Sequence, residues 1–381
     1  VGGPDRLQGG LLGSPSRVLP PLRAVTGLNA PAIAGYSMLY SLQALRAFAA
    51  WVVVCHHFMQ IFFDFHASGP IGQLLSDRGA VGVDIFFVIS GLVIYLSTRD
   101  KTIEPRQFLL NRVLRIVPAY WFYSLLMAGL LLAASRWMPH QQFDWQHLLL
   151  SLLFVPAENP GGYGLYPTLN VGWTLNFEMF FYLLFGLAFL VRQRHHLWLV
   201  SAALLLVSEV LGRLGVLSHF YNNDIIYEFL LGIGLGVLYR RGLIREGVWM
   251  PLALLGVAGY ALYHLDASQR LLHWGVPSAL VVLAFIALEP CFKGNQVLKA
   301  LGDCSYSVYL IHVLVLYAGW FASERLHLNP YLVFALCVPS IGLMSWFSYQ
   351  WLERGLYRRM QAWLAAPRGQ APAYVLSRVK Y

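Results

Sequence analysis

The chain has 381 residues, 58% of them hydrophobic and only 12% charged, with a mean hydropathy of +0.57. That balance excludes an ordinary water-soluble domain and points to a polytopic helical membrane protein in a lipid bilayer. The net charge of +9 would suit a nucleic-acid binder, but the basic residues gather at the ends of apolar segments. The four cysteines, Cys55, Cys291, Cys304 and Cys337, show neither CxxC spacing nor a disulfide framework. No nucleic acid and no metal are expected.

Residues 1–37 are rich in Gly, Pro and Leu and show no periodic apolar face. Arg6, Arg17 and Arg23 are scattered, with no compact apolar run behind them, so no signal-peptide pattern is present. The stretch is expected to be a flexible tail, or to lie upstream of a true start at Met38. Ten apolar spans are predicted to follow, at roughly 41–62, 79–97, 117–134, 171–191, 197–212, 224–239, 248–264, 273–289, 305–322 and 331–352. The run from His147 to Val155 is too short to cross and is expected at the interface or re-entering.

With the amino terminus inside, 21 of the 27 Lys and Arg residues fall on the cytoplasmic side. Five, Arg78, Arg136, Arg213, Arg270 and Arg325, fall opposite. The fold predicted is therefore an all-α transmembrane bundle with both termini cytoplasmic. Residues 38–353 form the membrane domain and 354–381 a basic tail. Gly232 and Gly236 lie inside a span with no strand before them, which suits close helix packing rather than dinucleotide binding.

The first span carries Arg46 and the pair His56–His57. Eleven residues are about three helical turns, so Arg46 and His57 share a face about 16 Å apart, with His56 turned about 80° away. Ionisable groups in hydrocarbon mark a polar cavity or reaction path; the alternative is an arginine snorkelling to the headgroups and a satisfied core histidine. Asp84 in the second span and Glu178 in the fourth come out at about the depth of His57, ~7–11 Å beneath the outer edge. A carboxylate beside a histidine suits general-base chemistry; the alternative is a structural ion-pair network.

Arg112 and Arg115 sit at i, i+3 in the cytoplasmic stretch NRVLRIVPAYW. They either anchor the membrane edge or, with Arg46, grip the phosphates of an anionic donor at an inner mouth. His312 either contacts substrate or bonds across helices. Glu228 either pairs with Arg213 or lines the acceptor side. The remaining histidines, His147 among them, are expected to do nothing specific. The loop Pro156–Asn170, with three glycines, is expected to be flexible and to cover an acceptor.

Five short patterns then occur in order. They are Arg46, ten residues, His57; GVDIFFVISGLVI; the RxxR of Arg112 and Arg115; W-x-L-x-x-E through Trp173 and Glu178; and SYSVYLIH ending at His312. Together they resemble the acyltransferase-3 family of integral-membrane O-acyltransferases, in particular rhizobial-type exopolysaccharide acetyltransferases. The resemblance implies a bacterial inner-membrane enzyme with acetyl-CoA as co-substrate rather than a bound cofactor, and a polysaccharide or lipid-linked glycan as acceptor. It also implies that His57 is catalytic and that Arg46, Arg112 and Arg115 face CoA; Glu178, with Asp84, is expected from its depth to orient His57. Trp173, Glu228 and His312 are left as acceptor-side or structural residues. The family's Pro-rich stretch before the Trp is reduced to Pro167 and Asn170. The short tail after Leu352 suggests direct transfer to glycan without a soluble second domain. The rival reading is a transporter or flippase for a glycan precursor, for which a clear inverted repeat is missing.

Overall fold

A computed structural model describes residues 39–99, 101, 103–134 and 142–365. The expected tail 1–37, Arg136, His140 and the basic tail beyond 365 lie outside the described residues. Among the described residues all regular structure is helical. Six helical stretches are long and apolar enough to cross a membrane. They are α1 (Tyr40–Phe63), α3 (Val81–Thr98), α4 (Pro105–Ala134), α6 (Trp173–Ala188) with its leading turn, α13 (Ser305–Leu326), and α14 (Pro330–Ser348) continued through a π-helical stretch into α15 (Tyr357–Ala365).

The other four predicted stretches are helical but shorter. They are α7 (His196–Leu205) with a π-turn to Leu211, α8 (Glu228–Arg240), α9 (Trp249–His264), and α10 (Val276–Ala287) entered through a π-turn from Leu271. Short helices connect them: α2 (Pro70–Arg78), α5 (Trp145–Leu152), α11 (Glu289–Phe292) and α12 (Gln296–Asp303).

Helix ends follow local chemistry. The side chains of Asp144, Asn295 and Asn329 accept from backbone N–H groups that open α5, α12 and α14, and Pro330 starts α14. The first N–H groups of α1, at Tyr40 and Ser41, donate to the Glu289 carboxylate from across the bundle, at 3.0 and 2.8 Å. Large apolar residues of α4 (Trp121, Phe122, Leu125) and α14 (Leu336, Leu343, Phe347) point outward, as a lipid-facing surface requires.

α1 is the hub, packed on α3, α12 and α13, while α3 packs in turn on α8 and α10. Glycines set the register of these contacts. A Cβ on Gly79 would lie 2.7 Å from the His56 Cβ, and one on Gly82 would lie 2.4 Å from the Ala49 carbonyl oxygen. On the other side of α3, a Cβ on Gly232 would lie 2.0 Å from the Val88 oxygen, and one on Gly91 2.1 Å from the Phe229 oxygen. The close packing expected of Gly232 and Gly236 is thus present, against Val88 and Tyr95.

Two expectations fail here. The RxxR pair shares a helical face as expected, but the span does not begin near 117: α4 starts at Pro105 and runs unbroken through Arg112, Arg115 and Pro118. The loop 156–170 is not loose either. Its backbone is tied down by Asn159 to the Tyr166 carbonyl (3.0 Å), by Thr168 N–H to the Ser151 hydroxyl (2.9 Å), and by His147 to the Tyr166 carbonyl (3.1 Å).

Candidate functional site

A cavity of about 110 Å³ lies between α1, α3, α4, α6 and α13, and Arg46, Arg112, Arg115 and Glu178 all line it. Each arrives by helical spacing: Arg112 and Arg115 are one turn apart on α4, and Glu178 and Tyr182 one turn apart on α6. Ser90 of α3 donates to Glu178 at 3.1 Å, and the Tyr182 hydroxyl donates to the same oxygen. The Arg112 guanidinium packs over the rings of Phe108 and Tyr182, 5.3 and 5.5 Å from their centroids, and one of its terminal nitrogens donates to Ser97. Its Nε is buried without a hydrogen-bond partner, as is the Ser305 hydroxyl on the same cavity.

Arg46 is braced by a polar chain: it donates to Gln43 (3.3 Å), which donates to Asp303 (2.6 Å), which is paired with Lys299 (2.8 Å). Glu353, held by Ser307, lies within electrostatic range of Arg46 and Arg115. Three guanidinium groups therefore lie near three carboxylates, Glu178, Glu353 and Asp303, of which Glu178 alone lines the cavity.

At its other end the cavity is bounded by Val83, Phe86, Thr174 and Tyr309, the Tyr309 hydroxyl being bonded to Thr174 and to the Val171 carbonyl, each at 2.9 Å. The His312 ring lies beyond, 6.0 Å from that of Tyr309. His57 and His312 form a pair: Nδ1 of His57 is 3.0 Å from Nε2 of His312. His56 turns away to the Leu75 carbonyl (3.0 Å), as its position on the helix predicts.

The expected partnership of His57 with Glu178 and Asp84 is not what the fold builds. Gly79 opposite His56 places residue 84 of α3 level with about residue 51 of α1, and residue 90 level with about residue 45. Asp84 is thus displaced by about 9 Å along the bundle from His57, and Glu178, bonded to Ser90, by about 18 Å. Glu178 belongs with the arginines. Asp84 faces away from the cavity, and both its oxygens are held by Arg270 at 3.1 and 2.8 Å. Glu228 is fully buried against the same pair, while Arg213 pairs with Glu209 instead.

Trp173 opens α6 with its ring against Tyr166 and Phe177. His147, expected to be idle, is buried and bonds Tyr166 and Thr168, and burial holds its imidazole below the ordinary histidine range. Tyr182 was within reach of sequence reasoning as the i+4 neighbour of Glu178. Ser90, Tyr306 and Tyr309 lie in two of the five patterns, but only tertiary packing shows that they line the cavity, and only packing brings Arg270 to Asp84.

A family profile described as an acyltransferase domain matches residues 39–349. The exopolysaccharide production protein ExoZ of Rhizobium meliloti (strain 1021) is 32% identical, over 78% of this chain and 95% of its own length. The acyltransferase MdmB of Streptomyces mycarofaciens is 29% identical, over 74% and 80% respectively. The O-acetyltransferase OatA of Staphylococcus aureus (strain NCTC 8325 / PS 47) is 24% identical, over 90% of this chain and 62% of its own. No solved structure gives a significant match.

Proposed function

The chain belongs to the acyltransferase-3 family of membrane O-acyltransferases, and from that membership we propose a specific reaction. An acetyl group moves from acetyl-CoA, held in the arginine-lined cavity on the cytoplasmic side, to a hydroxyl of an exopolysaccharide or lipid-linked glycan on the opposite face of a bacterial inner membrane. In this reading the chain crosses ten times, with both termini cytoplasmic. The four shorter helices complete the count, and the 21-to-5 distribution of basic residues sets the orientation.

The observation that carries the reading is the charge of the cavity. Three guanidiniums with an unspent buried N–H line a space in the membrane domain where uncompensated cations are costly. An anionic ligand relieves that cost, and planar forks suit phosphate oxygens. The acyl end then extends past Phe86 and Tyr309 toward His57, which takes the proton of the attacking hydroxyl. Glu178 stays with the arginines, as a resident counter-charge rather than a partner of His57.

The test compares wild type and His57→Ala in cells that make the polysaccharide, with its acetyl content read by NMR. The variant is expected to insert, to bind CoA and to leave the glycan unacetylated. Near-normal acetylation would overturn the assignment. CoA binding to the purified protein separates this reading from a flippase, which has no use for it.

A further inference from the structure

The two histidines define each other's protons. A carbonyl oxygen only accepts hydrogen bonds, and a neutral imidazole carries one N–H and one lone pair. Nδ1 of His312 lies 3.1 Å from the Val308 carbonyl, so that nitrogen holds the hydrogen and Nε2 holds the lone pair. Nδ1 of His57 faces that lone pair at 3.0 Å and the Val53 carbonyl at 3.1 Å. Both neighbours are acceptors, so Nδ1 of His57 carries its hydrogen. Nε2 of His57 is left with a free electron pair.

We infer that His312 is a positioning residue, whose Nε2 keeps the proton of His57 on Nδ1 and so makes Nε2 of His57 the atom that receives the acceptor hydroxyl's proton. This rests on the proposed acetyl transfer. The Val53 carbonyl belongs to the same helix as His57, so it cannot hold the ring against a neighbouring helix. His312 does so from α13, fully buried and fixed by its own bond to Val308. It stands where catalytic triads place a carboxylate, the role expected of Glu178 or Asp84.

In the step itself the hydroxyl O–H breaks as N–H forms on Nε2 of His57. The oxygen bonds to the acetyl carbonyl carbon, the carbon–sulfur bond breaks, and the CoA thiolate recovers the proton from His57 as free thiol. While His57 is an imidazolium its bond to His312 is charge-assisted and stronger. The help from His312 is therefore greatest in the transition state and is felt in kcat rather than in donor binding.

The test uses membrane vesicles carrying the full chain and the native glycan, supplied with radiolabelled acetyl-CoA. His312→Leu removes the acceptor, whereas His312→Gln puts an oxygen near the former Nε2. The leucine variant is expected to lose about 100-fold or more in kcat, with half-saturation by acetyl-CoA within about 2-fold. The glutamine variant should recover to within about 10-fold of wild type. Nitrogen-15 NMR of histidine-labelled wild type, with His57 assigned by its absence in His57→Ala, should show the Nδ1-protonated form.

Wild-type turnover in His312→Leu, a glutamine variant no better than the leucine one, or an Nε2-protonated His57 would each overturn the inference. Should the leucine variant fail to accumulate, the glutamine variant and the wild-type spectrum still decide. Failure here with His57→Ala inactive leaves the transfer reaction standing, whereas full transfer by His57→Ala would remove the reaction itself.

Discussion

Helix α3 carries two charged neighbourhoods, about 120° apart around its axis. At Asp84 both carboxylate oxygens are taken by Arg270, and the surroundings are closed by Glu228, Trp274 and Gly275. At Ser90 the carboxylate of Glu178 faces open space, shared with three arginines of which one keeps an unused donor. Residue type does not separate the two places: each pairs a carboxylate with arginine. Room does: the first is a weld between α3 and the π-turn before α10, and the second opens onto a cavity.

The sharpest way to break this contrast is at the weld. Asp84→Ala orphans Arg270 and should cost about 3–5 kcal/mol of stability, read as a lower denaturation midpoint, while half-saturation by acetyl-CoA in the folded fraction stays unchanged. A stable Asp84→Ala protein with weakened donor binding would reverse the two roles. Arg112→Ala should do the opposite. It should raise half-saturation by acetyl-CoA about 10- to 100-fold with little change at saturation and little loss of stability. Between the regions lies packing alone: Gly232→Ala presses a methyl onto the Val88 carbonyl and should destabilise by about 1–3 kcal/mol, whichever site is assayed.

The smallest effect concerns the tied-down loop. Burial disfavours protonation of His147 in the folded protein, so the unfolded loop binds the proton more readily. The clasp is at full strength above the ordinary histidine range, near about pH 6.5, and weakens as pH falls toward the lowered folded value. Amide hydrogen exchange across 157–168, corrected for the intrinsic pH dependence, should show less protection in acid. His147→Gln should flatten that dependence.

Much of the plan was legible in the sequence. Periodicity alone puts Arg46 and His57 on one face of α1, one turn separates Arg112 from Arg115, and small residues mark where Gly232 meets α3. What sequence could not supply is register between helices. The equal depths expected for His57, Asp84 and Glu178 assume level helix ends, whereas the contacts of Gly79 with His56 and of Gly82 with Ala49 slide α3 so that both acids fall well short of His57. Which acid meets which base then depends on rotations fixed only by tertiary packing. Arg270, read as a loop cation, reaches Asp84 for the same reason, and His312 acquires its partner from a helix more than 200 residues away in sequence.

The most direct measurement is equilibrium binding of CoA to the purified protein in detergent, compared across wild type, Arg112→Ala and His57→Ala. Saturable binding by wild type, weakened at least about tenfold in Arg112→Ala and unaltered in His57→Ala, is the expected pattern. Binding that is absent from wild type, or indifferent to Arg112, would contradict a donor site in the arginine-lined cavity.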